Sequence, residues 1–422
     1  MMRTAACALL AWALSAPVWA ERLTLEEALA SVSAPHPDRR VAESELALAR
    51  ADRDQAGSRQ DFNLFLEGSL RTGHRPDGNW APDNIGRIVA RKSVFDFGRS
   101  SQTIAAADQE IVARQAALFN VENLRRLDIM ARYFDVLLAD MQYAADNELL
   151  AVTYVSWDNA RKRLEVGQIS QPELLRMEAA FQDVRERRYA SQQRMSSTRQ
   201  KLAHAMNRPG VPPSELADPA LKENARAVSD YDSLLAAAMR NNPRVLALQA
   251  QLEASGGRIA AAQADRKPML DAEVIGAGYS RSSITRDDLS AGLVFTIPLY
   301  QGARVDARVA RELAQKERLA AELEKLKRDV SETLFTTLQE IQWLRDSGRA
   351  AADKQIEFRD WMLERARAEY ELEMKTNLGA SMADTQLALL RRKQVEYRLA
   401  LALARLDALS GGRLPPVEGA KK

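Results

Sequence analysis

The strongest constraint on the fold of this 422-residue chain is an internal duplication. The run beginning at Ser93 and the run beginning at Ile297 share one order of features: a short apolar stretch, an aromatic residue, a glycine and a long charged segment. The two glycines, Gly98 and Gly302, lie about 200 residues apart, which is too long a period for a solenoid. The duplication therefore predicts two similar halves.

The first half contains a segment suited to an unusually long helix. No proline occurs between Pro82 and Pro172, and no glycine occurs between Gly98 and Gly167. About 65 residues without a helix breaker would extend roughly 100 Å as one helix. We therefore expect a long helix over residues 98–163.

The second half repeats this segment. Apolar residues recur mostly every three or four positions from Val305 to Leu344, with charged residues between them. Such spacing is typical of an amphipathic helix with one solvated face. It predicts a second long helix over 302–372, interrupted only at Ser347-Gly348.

Ahead of each predicted helix lie two segments with the character of β-strands. Residues 289–298 alternate apolar side chains with small or polar ones, which is the period of two expected for a strand with one apolar face. The segments 72–84 and 280–288 would be the connecting loops, since turn-forming residues are concentrated in the first. The four expected strands are 62–71, 85–95, 269–279 and 289–298.

Four strands do not suffice for a membrane barrel. Strands of about ten residues suit a tilted crossing of a bilayer, but open sheet edges are not tolerated in lipid. Other copies of the chain would have to complete the sheet. Aromatic residues near the strand ends, such as Phe95 and Tyr279, lie where an aromatic girdle would. The alternative is a soluble β-hairpin that caps a helical bundle.

Residues 1–20 are expected to be a signal peptide. Arg3 precedes an apolar stretch, and Val18-Trp19-Ala20 is a small-x-small cleavage site. The apolar stretch is too short to favour the alternative, an uncleaved anchor. Cys7 is the only cysteine of the chain, so the mature protein would have neither a thiol nor a disulfide. Two further segments, 208–230 and 415–422, are expected to be an inter-repeat linker and a C-terminal tail.

Several motifs resemble one known family, the TolC-type outer membrane factors. These are the exit ducts of Gram-negative efflux pumps and type I secretion systems. The resemblance covers nearly the whole mature chain and depends on the order of the motifs rather than on any one of them. The matching segments are Pro298–Gly302, Arg163–Gly167, Glu173–Glu178, Lys201–Ala203 and Arg405–Gly411.

The resemblance implies a mainly α fold with a small membrane β portion. Each chain of a homotrimer would contribute four strands to a shared 12-stranded β-barrel and two long helical hairpins to a continuous periplasmic α-helical barrel. The implied repeats are 21–207, with a hairpin tip at 164–175, and 231–414, with a tip at 373–382.

The resemblance also implies a gate at the periplasmic tips. The acidic position of the first tip falls on Glu173, and the tyrosine and basic positions of the second fall on Tyr370 and Lys375. We expect these three residues to form a polar latch between hairpins. The alternative is ordinary solvated charges at helix ends. The chain departs from the family pattern in the second tip, where Glu373 replaces a glycine and Gly379 occupies an acidic position.

The tips would also bind a periplasmic adaptor protein. The alternative for these residues is a plain hairpin turn. Near the membrane, the resemblance places strand-to-helix junctions at Gly98, Pro298 and Gly302, although the first junction lacks the proline. The expected adaptor-docking residues are Val166, Gly167, Pro172, Met374 and Gly379.

No motif suggests an enzyme, a cofactor or a metal site. His36, His74 and His204 are scattered and lack ligand spacing. The formal net charge of +2 provides no basic field for nucleic acid. Neither a P-loop nor a nucleophile elbow is found.

The expected function is that of the outer-membrane channel of a tripartite efflux system. It would be a passive exit duct for small molecules or ions, surrounded by outer-membrane lipid and with most of its mass in the periplasm. An inner-membrane transporter of the RND type would deliver the cargo through the adaptor. The alternatives are a type I protein secretion duct and, from another class, a periplasmic coiled-coil scaffold.

Overall fold

The computed structural model describes residues 22–74, 78–281, 286–372 and 378–412. The predicted signal peptide with Cys7, the tail 415–422, and Met374 and Lys375 of the second tip lie outside these residues. The chain forms two compact units. Unit one takes the described parts of 1–36, 122–238 and 331–422, and unit two takes those of 37–121 and 239–330. Each unit therefore draws on both predicted repeats.

Helices dominate the described part of the chain. None of them combines the length and the apolar composition needed to cross a membrane. The α-helices are α1 Leu25–Ala30, α2 Pro37–Gly57, α3 Arg99–Glu165, α4 Gln171–Ala205, α5 Tyr231–Asn241, α6 Pro243–Ala264, α7 Arg304–Trp343, α8 Arg349–Glu371 and α9 Leu378–Leu409.

The strands lie in unit two and form two antiparallel sheets. The larger sheet has the order β1-β4-β5-β6, and β2 pairs with β3 in the smaller. The connection from β4 to β5 includes α3 to α6, so the hairpin-like pairs of the two halves meet at β4 and β5. The strands are β1 Asn63–Ser69, β2 Thr72–His74, β3 Trp80–Pro82, β4 Ile85–Phe95, β5 Met269–Tyr279 and β6 Leu289–Thr296.

The two central strands have the bounds expected from the sequence, whereas the outer strands are shorter. The strand expected over 62–71 is β1, which ends at Ser69. The strand expected to reach 298 is β6, which ends at Thr296. Pro298 has no N–H to donate to a ladder, which explains why pairing stops before it.

The segment 72–84 is not a simple loop. Its ends pair as β2 and β3, with Thr72 opposite Pro82 and His74 opposite Trp80. The rings of His74 and Trp80 meet edge to face with centroids 5.4 Å apart. The two ends of this segment therefore form paired strands of three residues each, which are too short to be recognised from sequence alternation.

The second long helix is divided by a π-helical segment, Leu344–Gly348, between α7 and α8. The interruption falls at Ser347-Gly348, as the sequence predicts. The helix nevertheless continues through this point, because a π segment keeps the chain helical while changing its hydrogen-bond register. The first long helix, α3, is continuous over 67 residues.

Unit one has an aromatic core in which α3 meets α9. Phe134 on α3 stacks on Tyr397 on α9 with ring centroids 4.4 Å apart, and both are buried. The hydroxyl of Tyr133 lies 2.8 Å from the carbonyl oxygen of Leu23 and 2.5 Å from that of Ala217. Burial raises the pKa of Tyr133 to about 12, so the hydroxyl remains a donor.

The linker 208–230 is bound along its second half to unit one. Arg226 donates to both carboxylate oxygens of Asp407 on α9, at 3.0 and 2.7 Å. The side-chain amide of Asn224 donates to Glu396 on the same helix at 2.7 Å. Arg345 of the π segment donates to the carbonyl oxygen of Arg226 at 2.6 Å. The segment predicted as a polar linker is therefore bound across the helices of unit one.

Candidate functional site

One face of the larger sheet is apolar and exposed. The strand register places the side chains of Leu64, Ile88, Val274 and Leu293 on this face. Their exposure ranges from 46% for Val274 to 68% for Leu293. A contiguous apolar surface of this kind is a binding surface for lipid or protein rather than a solvated face.

The opposite face of the sheet carries paired charges. Arg87 on β4 lies opposite Glu67 on β1 and donates to it at 2.6 Å. Arg91 lies opposite Glu273 on β5 and donates to it at 3.2 Å. Because successive side chains of a strand point to opposite faces, these charged pairs lie on the face opposite Leu64 and Ile88, beside apolar residues such as Val89 and Ile275. The outer strands β1 and β6 each pair on one side only within the described residues.

Both strand-to-helix junctions turn at a glycine with a positive φ angle. Gly98 precedes α3 with φ 87°, and Gly302 precedes α7 with φ 63°. L-residues with a side chain rarely adopt this region, which explains the glycines of the duplicated motif. Pro298 lies in the segment between β6 and Gly302 rather than at the end of the strand.

A buried carboxylate anchors the starts of both long helices, and sequence analysis did not identify it. Asp265 follows the last residue of α6, and its side chain is 9% exposed. Arg99 at the start of α3 lies 2.9 Å from one of its oxygens, and Arg308 on α7 lies 2.6 Å from the other. No local pattern distinguishes Asp265 from the many other carboxylates of this chain, because its partners come from distant parts of the sequence.

The first tip is a tight turn between α3 and α4. Gly167 has φ 69°, and its N–H donates to the carbonyl oxygen of Leu164 at 2.9 Å. The N–H of Gln168 donates to the carbonyl oxygen of Arg163 at 2.8 Å, which completes a Schellman motif. Val166 is 67% exposed at this turn. The tip is therefore a rigid backbone turn that presents an apolar side chain to its surroundings.

Pro172 was expected to be a turn residue, but it lies in the first turn of α4. Proline is tolerated there because the first N–H groups of a helix have no partner within the helix. Glu173 lies in the same turn, where a carboxylate interacts favourably with the helix dipole. Its N–H donates to the carbonyl oxygen of Ser170 at 3.1 Å, but among the described residues its side chain has no hydrogen bond or ion pair.

Gly379 was also expected to be a turn residue, but it is the second residue of α9. A Cβ atom at this position would lie 2.4 Å from Cγ2 of Val152 on α3, a separation that real Cβ atoms do not show. The glycine therefore permits α9 to begin in direct contact with α3. Its role is steric, whereas that of Gly167 is conformational.

Two further contacts set the relative heights of the helices near the tips. Arg359 on α8 donates to Asp384 on α9 at 2.6 Å. Trp157 on α3 stacks on Phe181 on α4 with ring centroids 5.3 Å apart. These contacts are rungs that connect α8 to α9 and α3 to α4, and the Gly379 contact connects α9 to α3.

These contacts allow residues of α4 and α8 to be compared by their height along the helix axes. Along α9, the contact between Arg359 and Asp384 lies five residues farther from the tips than Gly379. Along α3, the contact between Trp157 and Phe181 lies five residues nearer to the first tip than Val152. The two rungs therefore differ in height by ten residues, or about 15 Å. Counting ten residues along α8 from Arg359 reaches Glu369, which is thus level with Phe181.

This scale places the expected latch residues at different heights. Tyr370 is 63% exposed and, like that of Glu173, its side chain has no hydrogen bond or ion pair among the described residues. Counted along α4, Glu173 lies about seven residues, roughly 10 Å, nearer to the first tip than the level of Tyr370. The chain does not bring the two together, and the third latch residue, Lys375, lies outside the described residues.

The titratable groups of unit one do not form a metal centre. In the described part of the chain, no group of three or more His, Cys, Asp or Glu side chains is arranged to hold a metal ion. Asp140 on α3 accepts two hydrogen bonds from Arg199 on α4, at 2.6 and 2.8 Å. Burial raises the pKa of Asp140 although the guanidinium opposes the shift. This pair joins two helices and leaves no open position for a ligand.

In comparisons with known proteins, residues 234–412 match the family described as outer membrane efflux protein. The fold is similar to that of CusC, with a TM-score of 0.74 and 17% identity over 92% of each chain. No curated protein matches the chain.

Two further solved structures have the same fold. The outer membrane protein VceC from Vibrio cholerae has a TM-score of 0.71 and 16% identity, over 92% of this chain and 96% of that one. The Campylobacter jejuni CmeC outer membrane channel has a TM-score of 0.74 and 14% identity, over 93% of this chain and 87% of that one. The resemblance drawn from the sequence motifs is thereby confirmed, as is a mainly helical fold with a small sheet.

Proposed function

We propose that this chain, whose residues 234–412 are an outer membrane efflux protein domain, is the outer-membrane exit duct of a tripartite efflux system. The sheet would lie in the outer membrane, and the long helices would form a periplasmic tunnel. The duct would be passive and homotrimeric. An inner-membrane pump of the RND type would supply the energy and would deliver small molecules or ions through a periplasmic adaptor.

The larger sheet is the main observation that supports this proposal. Its apolar face suits lipid, and its face of paired charges suits a water-filled lumen. Its outer strands β1 and β6 have open edges, and a bilayer does not tolerate unpaired backbone groups. Pairing β1 of one copy with β6 of the next would close the sheet without an edge, which requires several copies of the chain.

The first tip supports docking of an adaptor. Val166 and Leu175 are 67% and 53% exposed near a turn whose backbone is fixed by hydrogen bonds. Such a surface can bind a helical partner without an ordering cost. We place adaptor contacts at Val166, Gly167 and Pro172 of this tip. At the second tip we place them at Met374 and Gly379.

We propose that Glu173, Tyr370 and Lys375 contribute to closing the duct. Because Glu173 and Tyr370 differ in height, we propose Lys375 rather than Tyr370 as the partner of Glu173. An exposed ion pair contributes only about 0–1 kcal/mol. Several symmetric copies could nevertheless hold a gate that a docking partner opens.

The test is single-channel conductance of the purified full-length oligomer in a planar bilayer. Discrete conductance steps are expected for the wild type, and larger steps for Lys375→Glu. Lys316→Glu is the matched control, because it makes the same charge change at an exposed position on α7 in unit two. It should leave the steps unchanged.

The outcomes separate the parts of the proposal. Equal steps for Lys375→Glu and wild type would retain the channel and reject the latch. A folded oligomer that never inserts would reject the channel and favour the periplasmic scaffold. Growth of a deletion strain on pump substrates, with and without the chain, would then test the efflux role.

A further inference from the structure

Unit one contains a cavity between the linker 208–230 and three helices, α1, α3 and α9. Its volume is about 380 Å³, within the range of about 300–1,000 Å³ that is typical of ligand pockets. Every residue that lines the cavity belongs to unit one. The cavity is therefore a feature of one compact part of the chain and is large enough for a small organic molecule.

The wall of the cavity is mostly apolar. Leu25 on α1 and Leu403 on α9 are 8% and 2% exposed and belong to the hydrophobic core of unit one. Met130 on α3 and Leu221 of the linker pack against that core. An apolar molecular body would leave water on entering the cavity, which is favourable. The smaller apolar residues of the wall are Pro219, Ala220, Ala400 and Ala404.

One buried polar residue of the lining has an atom without a partner. Asn224 is 2% exposed, and its side-chain oxygen Oδ1 accepts no hydrogen bond among the described residues. The Nδ2 atom donates to the main-chain carbonyl oxygen of Glu396 at 2.9 Å and to its carboxylate at 2.7 Å. Turning the amide round would place Oδ1 against these two acceptors. Oδ1 is therefore a fixed acceptor that lacks a donor, and such a buried group costs free energy.

A water molecule in this cavity would find few partners. A buried water needs two to four polar groups. Among the described residues, Oδ1 of Asn224 is the only buried side-chain atom of the lining that lacks a hydrogen-bond partner. A molecule that combines one donor with an apolar body satisfies both the open acceptor and the apolar wall.

The surroundings of Asn224 disfavour a cation. The guanidinium of Arg345 in the π segment donates to the main-chain carbonyl oxygen of Asn224 at 3.2 Å. Arg349, one turn farther along, is paired with the carboxylate of Glu396 at 2.7 Å. Arg345 forms no ion pair among the described residues. Its charge, which no ion pair balances, therefore opposes a second positive charge beside Asn224.

The other charges of the lining disfavour an anion. Both carboxylate oxygens of Asp407 accept hydrogen bonds from Arg226, which neutralises that pair. Of the three remaining charged residues, Glu26 and Glu223 are acidic and Lys222 is basic. The lining thus has more negative than positive charge, and its open acceptor has no proton to donate to a carboxylate.

We propose that this cavity binds a small neutral molecule that has an apolar body and one hydroxyl or amide donor. The donor bonds to Oδ1 of Asn224, and the body lies against Leu25, Met130 and Leu403. The bound molecule connects the linker to α1, α3 and α9 of the same chain. This site is independent of the proposed function, since all the residues that form it belong to unit one of a single chain.

Equilibrium dialysis of the full-length protein in detergent tests the site, with the same detergent in both chambers. The probe is 2-naphthol, which has an apolar body and one hydroxyl donor. Its matched control is 2-methoxynaphthalene, which has the same rings and no donor. We expect saturable binding of one 2-naphthol per chain. The ether should bind about fivefold more weakly, which is the usual effect of one hydrogen bond.

Two charged probes test the expected neutrality. They are 2-naphthoate and 2-naphthylmethylammonium, which carry the same rings with a negative and a positive charge. Each should bind at least roughly tenfold more weakly than 2-naphthol, because a charge that enters an apolar cavity without a partner loses its hydration. Tighter binding of either charged probe would overturn the proposed class of molecule.

Three variants locate the binding in the cavity. Ala404→Phe fills the cavity from α9 and should abolish the binding of 2-naphthol. Ala350→Phe is the matched control, because it makes the same change at an exposed position on α8 outside the lining, and it should leave binding unchanged. Asn224→Ala should remove the difference in affinity between 2-naphthol and the ether. Circular dichroism checks that each variant is folded.

The comparison of probes on the wild type decides the proposal even where a variant does not fold. No saturable binding of 2-naphthol would mean that the cavity holds water only. Equal binding of 2-naphthol and 2-methoxynaphthalene would overturn the role of Asn224 and leave only partition into an apolar surface. Binding that survives in folded Ala404→Phe would place the probe elsewhere and overturn the site. None of these results changes the channel conductance that tests the proposed function.

Discussion

The two tips of unit one solve the same problem of reversing a long helix, but their glycines act in different ways. Gly167 provides a backbone conformation, with φ 69° and two capping hydrogen bonds around it. Gly379 has an ordinary helical backbone and is required for a steric reason, because Val152 occupies the volume that a side chain at this position would need. The two tips therefore require glycine for different physical reasons and at positions that do not correspond in the two repeats.

The largest expected effect is that of a side chain at Gly379. Gly379→Ala should destabilise the protein by about 1–3 kcal/mol, because the new Cβ overlaps Val152. The measurement is the thermal midpoint of the full-length protein in detergent. Gly256→Ala on α6 is the control, since nothing lies within 4 Å of its added Cβ, and it should stabilise by up to about 1 kcal/mol.

Rescue distinguishes the two glycines. Val152→Ala in the Gly379→Ala background should recover most of the lost stability, because it removes the overlapping methyl groups. If the double variant is no more stable than Gly379→Ala, the steric explanation is wrong.

The next effect is that of Gly167→Ala at the first tip. It should cost about 1–2 kcal/mol, because a residue with a Cβ must adopt a left-handed conformation. Gly167→Asn should cost less, since asparagine tolerates this region better. Equal losses for alanine and asparagine would show that the turn is held by something other than backbone conformation.

Two carboxylates, Glu396 on α9 and Asp135 on α3, are expected to make the stability of the protein depend on pH in opposite directions. Hydrogen bonds from Arg349 and Asn224 outweigh the effect of burial and lower the pKa of Glu396. Its contribution to stability is therefore present above its unfolded pKa and is lost as the pH falls through its folded pKa. Glu396→Gln should cost about 1 kcal/mol at pH 7, and the difference from wild type should shrink progressively once the pH falls below the unfolded value of about 4.3. A difference that is constant between pH 3 and pH 7 would contradict this.

The pKa shift of Asp135 on α3 has the opposite sign to that of Glu396, and substitution of Asp135 has the smallest expected effect. Burial raises its pKa although Arg194 and other cations oppose the shift. Its contribution is present below the unfolded pKa and is lost as the pH rises through the folded pKa. Asp135→Asn should therefore raise the thermal midpoint at pH 7 and leave it nearly unchanged at pH 3. A lower midpoint at pH 7 would mean that the cations around Asp135 stabilise its charge more than burial opposes it.

Sequence periodicity and the internal duplication determined the long helices and the strands of the larger sheet. The alternation of residues 289–298 predicted a strand there, because a strand with one apolar face has a period of two, and the duplication extended this prediction to the two central strands. The run without breakers after Gly98 predicted α3 nearly to its ends, because long helices depend on local propensity and on a continuous stripe. The junction glycines were recognisable because a positive φ angle restricts residue type locally.

Contacts between distant residues were decided only by the tertiary structure. Asp265 anchors two helices whose arginines lie far from it in sequence, and Gly379 is explained by Val152, more than 200 residues away. The heights of Glu173 and Tyr370 depend on how the long helices of unit one are aligned side by side. Periodicity specifies which face of a helix is apolar, but it contains no information about the height at which that face meets its neighbour, since sliding a helix along its axis leaves its own pattern unchanged.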